Sequence, residues 1–240
     1  MPEQRVPSKG DFLVVDAHTV LTTGPDGFSS GNIMEKWWPK WRKLFDCDPI
    51  LLPNAAEMPV EIPRLILEGR ATNVRCEVGP ERISLRRQVG PDGSPLSLSE
   101  FLGQVTDSLV ELANARNTSV RRMAMLTTRM AFCERPGIAM SRHFCQERWF
   151  GAPLNRPESF ELHAHKQYRL ANRFEVNSWA RSKTAEGNLA GQSGPVIVFA
   201  QDLNTLVEGS ETRSWDQEDI RAFFGATQPE LDAILGLYYP

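Results

Sequence analysis

Residues 12–22 read FLVVDAHTVLT, a run dense in β-branched and apolar side chains in which Asp16 and His18 fall two apart. That texture predicts a strand, closed by the turn cluster Gly24-Pro25-Asp26-Gly27. The period then changes. Trp37, Trp38, Trp41, Leu44 and Phe45 recur at helical steps within residues 32–45, and Pro39 predicts a kink or a fresh start inside that helix. Prolines at positions 49, 53, 59 and 63 hold off regular structure until Leu65. Residues 65–67 and 73–89 return to the strand period. Val74, Cys76 and Val78 alternate with Arg75 and Glu77, Gly79-Pro80-Glu81 turns the chain, and Ile83 and Leu85 alternate with Arg82, Ser84 and Arg86. This pattern predicts a hairpin with one apolar and one charged face.

The clearest helix signal is Ser97 with Glu100, an S-x-x-E capping box, followed by Leu98, Phe101, Leu102, Val105, Leu109 and Leu112 at three- and four-residue steps. Residues 120–133 are strand-like, Pro136-Gly137 closes them, and 138–150 predict a short helix. Residues 160–171 and 174–184 predict two strands separated at Asn172. Residues 185–194 predict a loop and 195–204 an apolar strand. Ser214 with Gln217 predicts a helix carrying Ile220, Phe223 and Phe224, and Thr227 with Glu230 opens another carrying Leu231, Ile234, Leu235 and Tyr238. Strands and helices do not alternate one for one, which excludes a doubly wound parallel fold. The expected class is α+β: a mostly antiparallel sheet with helices packed on one face, in two similar halves, 11–135 and 136–240.

Length and composition add bounds. The 240 residues fit one domain over 11–240 behind a polar tail, MPEQRVPSKG, expected to be flexible. With 41% hydrophobic and 24% charged residues, such a chain buries a core without a metal or disulfide staple. The balance of 27 basic and 30 acidic residues, net −3, argues against a dedicated nucleic-acid binder. Apolar runs such as 12–15 and 196–200 fall far short of the roughly 20 residues of a membrane span, and the first residues lack the apolar core of a secretory signal. The expected location is the cytoplasm, with no membrane contact. Cys47, Cys76, Cys133 and Cys145 form no C-x-x-C pair and read as reduced, mostly buried thiols.

The succession NVRCEVGPERISLRR, SLSEFLGQVTDSLVELA and VRRMAMLTTRMAF resembles the first half of a sporadically distributed, uncharacterised bacterial protein family of about this length. The later VIVFAQDLNTL and C-terminal helix resemble its second half. One departure is Thr127-Thr128-Arg129-Met130, where the family's strand ends in an Arg-Tyr-Ile/Val-Asn type sequence. The resemblance implies a bacterial origin and an α+β fold. It implies no activity and transfers no site residue.

Four groups of residues bear on chemistry. His163-Ala164-His165 on a strand would turn both imidazoles to one side, and Asp16 and His18 offer two more ligands by the same period; together they could hold a divalent metal. The plainer reading makes Glu161, His163, His165 and Gln167 the polar half of an alternating strand. Trp37, Trp38, Lys40, Trp41, Arg42 and Lys43 place three indoles among three cations, a composition suited to a partner interface or to a core helix with solvated charges. Arg75, Arg82, Arg86 and Arg122, with Arg87, Arg121 and Arg129, could form a basic sheet face; the plainer reading is a solvated face balanced by Glu77 and Glu81. Asp202 and Asn204 at the end of an apolar strand have the form of a metal or catalytic position, and the plainer reading is a turn made by their side chains. The sequence shows no phosphate-binding glycine loop and no G-x-S-x-G elbow.

The expectation is therefore a cofactor-free, non-enzymatic binding or assembly protein that meets a protein partner or itself, with nucleic acid disfavoured. The alternative is a metal-dependent hydrolase built on Asp16, His18, His163 and His165.

Overall fold

A computed structural model describes residues 5–24, 28–53, 57–90, 93–150 and 155–240. The turn expected at residues 24–27 lies, Gly24 apart, outside the described residues, as do the first four residues of the polar tail. Strands β1 (Leu13–Thr23), β2 (Ile50–Leu51), β3 (Leu65–Gly69), β4 (Val74–Val78), β5 (Arg82–Gln88), β6 (Val120–Phe132), β7 (Glu161–Leu170), β8 (Phe174–Leu189) and β9 (Gln192–Thr205) make one sheet. Its order is β2-β3-β4-β5-β1-β6-β9-β8-β7. Every ladder is antiparallel. The helices are α1 (Ser30–Lys36), α2 (Trp38–Trp41), α3 (Leu98–Arg116), α4 (Pro136–Phe144) and α5 (Gln217–Tyr238).

Alternation decides which face the helices cover. Ala17 and Leu21 of β1, Val74, Cys76 and Val78 of β4, Ile83 and Leu85 of β5, and Met123 and Met125 of β6 are buried on one face. They join Phe101, Val105, Leu109 and Leu112 of α3 and Phe223, Phe224 and Leu231 of α5 in the main core. A second cluster, including Ala131, Ile197, Phe199, Met140, Leu235 and Tyr239, continues that layer beneath α4 and the end of α5. The intervening residues of each strand point to the opposite face, which among the described residues carries no helix; there Leu189, Val196 and Val198 form a small third cluster with Val15 and Met130.

Three local expectations need correction. Residues 185–194 are not a loop: β8 and β9 stay paired as far as Leu189 and Gln192, and Ala190 (φ 51) and Gly191 (φ 77) make the turn. A long partner strand holds this polar, glycine-containing stretch in a ladder its own propensity would not favour. Pro136 opens α4 instead of closing the preceding strand, since the first helical position needs no N–H. The two C-terminal helices are one. Asp216 caps α5 by accepting from the Asp219 N–H at 2.8 Å, while the Asp219 carboxylate accepts from the Asp216 N–H at 3.1 Å. Thr227 lies buried inside that helix, its hydroxyl donating to the Phe224 carbonyl at 2.8 Å, so it caps nothing. At α3 the Ser97 hydroxyl does accept from the Glu100 N–H, at 3.3 Å. The Glu100 carboxylate turns outward instead, accepting from Gln104 at 3.2 Å.

All four cysteines are free thiols, Cys76 and Cys133 buried. No helix among the described residues is long and apolar enough to cross a membrane.

Candidate functional site

The register of the sheet writes its open face as rows. One row runs Arg75, Arg86, His18, Leu126, Asp202, Trp179, His165 across seven adjacent strands. The next runs Gln88, Asp16, Thr128, Ala200, Arg181, His163. Side-chain size varies along these rows. Central strands β6 and β9 present Leu126, Thr128 and Ala200, whereas β1 and β5 on one side present His18 and Arg86, and β8 on the other presents Trp179 and Arg181. Short residues between long ones leave a trough. Its volume is about 250 Å³, and Asp16, His18, Arg86, Trp179, Arg181 and Asp202 stand around the floor of Leu126, Thr128 and Ala200. A second depression of about 220 Å³ lies beyond the ridge of His18 and Arg86, toward Arg75, Glu77 and Ser84.

The walls are held in place by polar contacts. Arg86 grips Asp16 through two bonds, Nε to Oδ1 at 2.7 Å and Nη2 to Oδ2 at 3.3 Å. This forked geometry fixes both side chains more firmly than a lysine could. Arg75 donates to Glu68 and to Glu77, each at 2.8 Å. Asp202 accepts from Asn204 at 2.8 Å, and the Asn204 oxygen accepts from Arg122 at 3.3 Å and Asn177 at 3.4 Å. Trp179 is flanked by the Arg181 guanidinium, 5.3 Å from its ring centre, and by the His165 ring, stacked at 4.2 Å. Burial, reinforced by the charges of Arg82 and Arg86, pushes the His18 imidazole down to about 4. His18 is thus neutral at neutral pH, with one nitrogen donating and the other accepting.

These groups can hydrogen-bond and stack. The arrangement suits recognition of a polar ligand bearing both signs of charge: guanidinium groups alternate with carboxylates, and an indole face offers apolar contact.

The residues proposed from sequence for a metal are not brought together. Asp16 and His18 lie on β1 and His163 and His165 on β7, with β6, β9 and β8 between them. Four strand spacings amount to about 19 Å, several times the reach of one ion. Among the described residues no group of three or more His, Cys, Asp or Glu side chains could hold a metal ion. His163 and His165 do share a face with Glu161, whose carboxylate lies 2.9 Å from His163.

The tryptophan segment packs inward. Trp37 is buried and its indole N–H donates to the Ser108 carbonyl at 3.1 Å. Trp41 donates to Glu111 at 2.8 Å, and Lys40 pairs with the same carboxylate. Trp37 stacks with Trp41 and Trp38 with Phe45, so both half-buried indoles belong to the main core. Arg42 and Lys43 remain exposed. The segment clamps α1 and α2 onto α3, and its aromatic surface is largely used within the chain.

The four arginines Arg75, Arg82, Arg86 and Arg122 do share the open face, interleaved with carboxylates. Arg87 and Arg129 do not. Strand alternation turns them to the helix side, where Arg129 is buried and reaches Asp232 of α5 at 2.6 Å. Sequence reading missed Trp179 and Arg181, and took Asp202 for a turn residue. The signal for the first two was the alternation of β8, which puts an indole on the polar side of its strand beside Asn177 and Arg181. Asp202 lies within β9, paired with Leu126 and Trp179, and not in a turn. No protein-family model matches the chain, and no curated protein matches it.

Proposed function

We propose that this protein is a non-enzymatic binding protein that receives a polar, charge-patterned segment of a protein partner in the trough on its open sheet face. One observation carries the reading: the nine-stranded sheet packs the described helices on one face, and on the other the Arg86–Asp16 ion pair, Arg181 and Trp179 stand around a floor of Leu126, Thr128 and Ala200. A face that merely met water would have no need of an indole held between a guanidinium and an imidazole. The mixture of charges favours a protein segment over nucleic acid, whose backbone calls for cations without interleaved carboxylates.

The order of elements supports a duplicated origin for this surface. β1 is followed by α1 and α2, then the two-residue β2, and then β3, β4, β5 and α3; β6 is followed by α4, then β7, β8, β9 and α5, with no counterpart of β2 among the described residues. In the sheet, β1-β5-β4-β3 runs outward to one side, with β2 added at its edge, and β6-β9-β8-β7 runs to the other. On this reading the trough straddles the seam between two similar halves.

The test is a titration followed by Trp179 fluorescence, with peptides of alternating acidic and basic residues and, separately, single-stranded oligonucleotides. The reading expects a saturable change with peptides, weakened by salt, abolished by Trp179→Phe and weakened by Ala200→Leu, which fills the floor. A response to oligonucleotides alone, or to neither probe, would overturn it.

A further inference from the structure

The two ends of the sheet differ. At one end β3 is covered by the two-residue strand β2, through Ile50 opposite Ile66 and Leu51 opposite Leu65. At the other end β7 is a ten-residue strand, and among the described residues no strand pairs with its outer side. The direction of its free groups is fixed by β8. The Thr184 N–H donates to the Phe160 carbonyl, in register with the β7–β8 ladder. Even-numbered residues of β7 therefore bond to β8, and the N–H and C=O of Glu161, His163, His165, Gln167 and Arg169 point outward. A row of outward peptide groups this long is a template for another strand.

We infer that the outer edge of β7 pairs antiparallel with the same edge of a second copy of this chain, about a two-fold axis at His165. The sequence of the strand selects both the partner and the register. Antiparallel pairing of identical edges must match odd residues with odd residues, because those carry the free groups. Centring on His165 sets Glu161 opposite Arg169 at both ends of the junction, and His163 opposite Gln167. On the helix side it sets Leu162 opposite Tyr168. Shifting the centre by one residue keeps odd with odd but loses both Glu161–Arg169 pairs. The helix side supplies a second argument. Beside β7, Tyr168, Ile234, Leu237 and Tyr238 border a cavity of about 180 Å³. Leu237 is 82% exposed in the single chain, the largest exposure among the described large apolar residues. A second copy across the edge would bring its own α5 alongside and cover that leucine. The pairing uses up β7, so association stops at two chains.

Sedimentation velocity across low to high micromolar protein tests this. The expected result is a species of twice the chain mass, with dissociation strengthened on the order of tenfold or more by Glu161→Arg or by Arg169→Glu alone. Combining the two substitutions restores opposite charges across the junction and should recover the dimer. His163→Pro removes an outward N–H without touching the β8 ladder, and should leave a folded monomer, checked by its unfolding midpoint. A monomer at every concentration overturns the inference. So does a dimer indifferent to both single charge reversals, which would place the contact elsewhere. Since both charged positions are exposed, the charge exchange decides the matter even if the proline variant fails to fold.

Discussion

Asp232 is the residue whose loss should most sharply expose how the helix layer is tied to the sheet. Its carboxylate sits 2.6 Å from Nη2 of Arg129, whose side chain is only 5% exposed, while that of Asp232 is 35% exposed. Among the described residues Nε of Arg129 has no hydrogen-bond partner. Asp232→Ala therefore strands a guanidinium between sheet and helix. Breaking a fully buried ion pair from one side costs about 3–5 kcal/mol. Water can reach the vacated side of α5, so the expected loss is about 2–3 kcal/mol. Arg129→Met keeps most of the volume and removes the charge, leaving a carboxylate at the surface, and should cost only about 1 kcal/mol. The double variant should resemble Arg129→Met, an interaction visible only in the full cycle. With a urea slope of about 2.5 kcal/mol/M, Asp232→Ala should lower the midpoint by about 1 M at unchanged slope. If Arg129→Met proves costlier than Asp232→Ala, the arginine acts through its packing and the buried-charge argument fails.

Leu109 of α3 is fully buried, and Leu109→Ala should cost about 2–5 kcal/mol in the same urea assay; no loss would contradict its placement against the sheet. His18 should make stability pH-dependent: its imidazole is held down to about 4 in the folded chain. Below pH 6.5 the unfolded chain takes a proton that the folded chain refuses, so stability falls between about 6.5 and 4 by up to about 3 kcal/mol, and is unaffected above that window. His18→Gln should flatten that part of the midpoint profile, and an unchanged slope would show that His18 titrates normally. Asn117 ends α3 at φ 51; Asn117→Ala should cost about 1 kcal/mol and Asn117→Gly a few tenths at most. Equal losses in thermal unfolding would show that the left-handed cap is unimportant.

How far the sequence could be read follows from the range of each interaction. The 74–88 hairpin and the α3 helix announce themselves because their signals are local: alternation about Gly79-Pro80, and a stripe from Leu98 to Leu112. The α+β class followed from the same signals. The 185–194 segment was misread because its ladder depends on a partner strand and not on its own polar residues. Ser214 and Thr227 matched a cap pattern that Asp216 in fact supplies. The candidate site was the least legible part. Asp16, His18, Arg86 and Arg181 become neighbours only through strand order, which sets β1 between β5 and β6 and brings β8 within two strands of β6. The same order separates His18 from His163, which period-two reasoning had treated as partners. Trp37 shows a third limit: an indole beside cations reads alike whether its ring meets a partner or Ser108 of its own chain.

The position of β1 has a consequence for how the chain is made. β1, made before every other strand of this sheet, lies in the middle of the finished sheet, with β5 on one flank and β6 on the other. Its β5 partners follow within about seventy residues, but β6 partners such as Thr127, opposite Ala17, come about a hundred residues later. Until β6 is synthesised, a nascent half-sheet of β1 to β5 presents a long central strand with one ladder missing, an adhesive edge in a crowded cell. Folding governed by such distant pairings is slow, and synthesis rate and chaperone capture should bear on yield more than final stability does. Conditions that prolong the gap between β1 and β6, such as slow codons after α3, should send more chain into aggregates without altering the native protein.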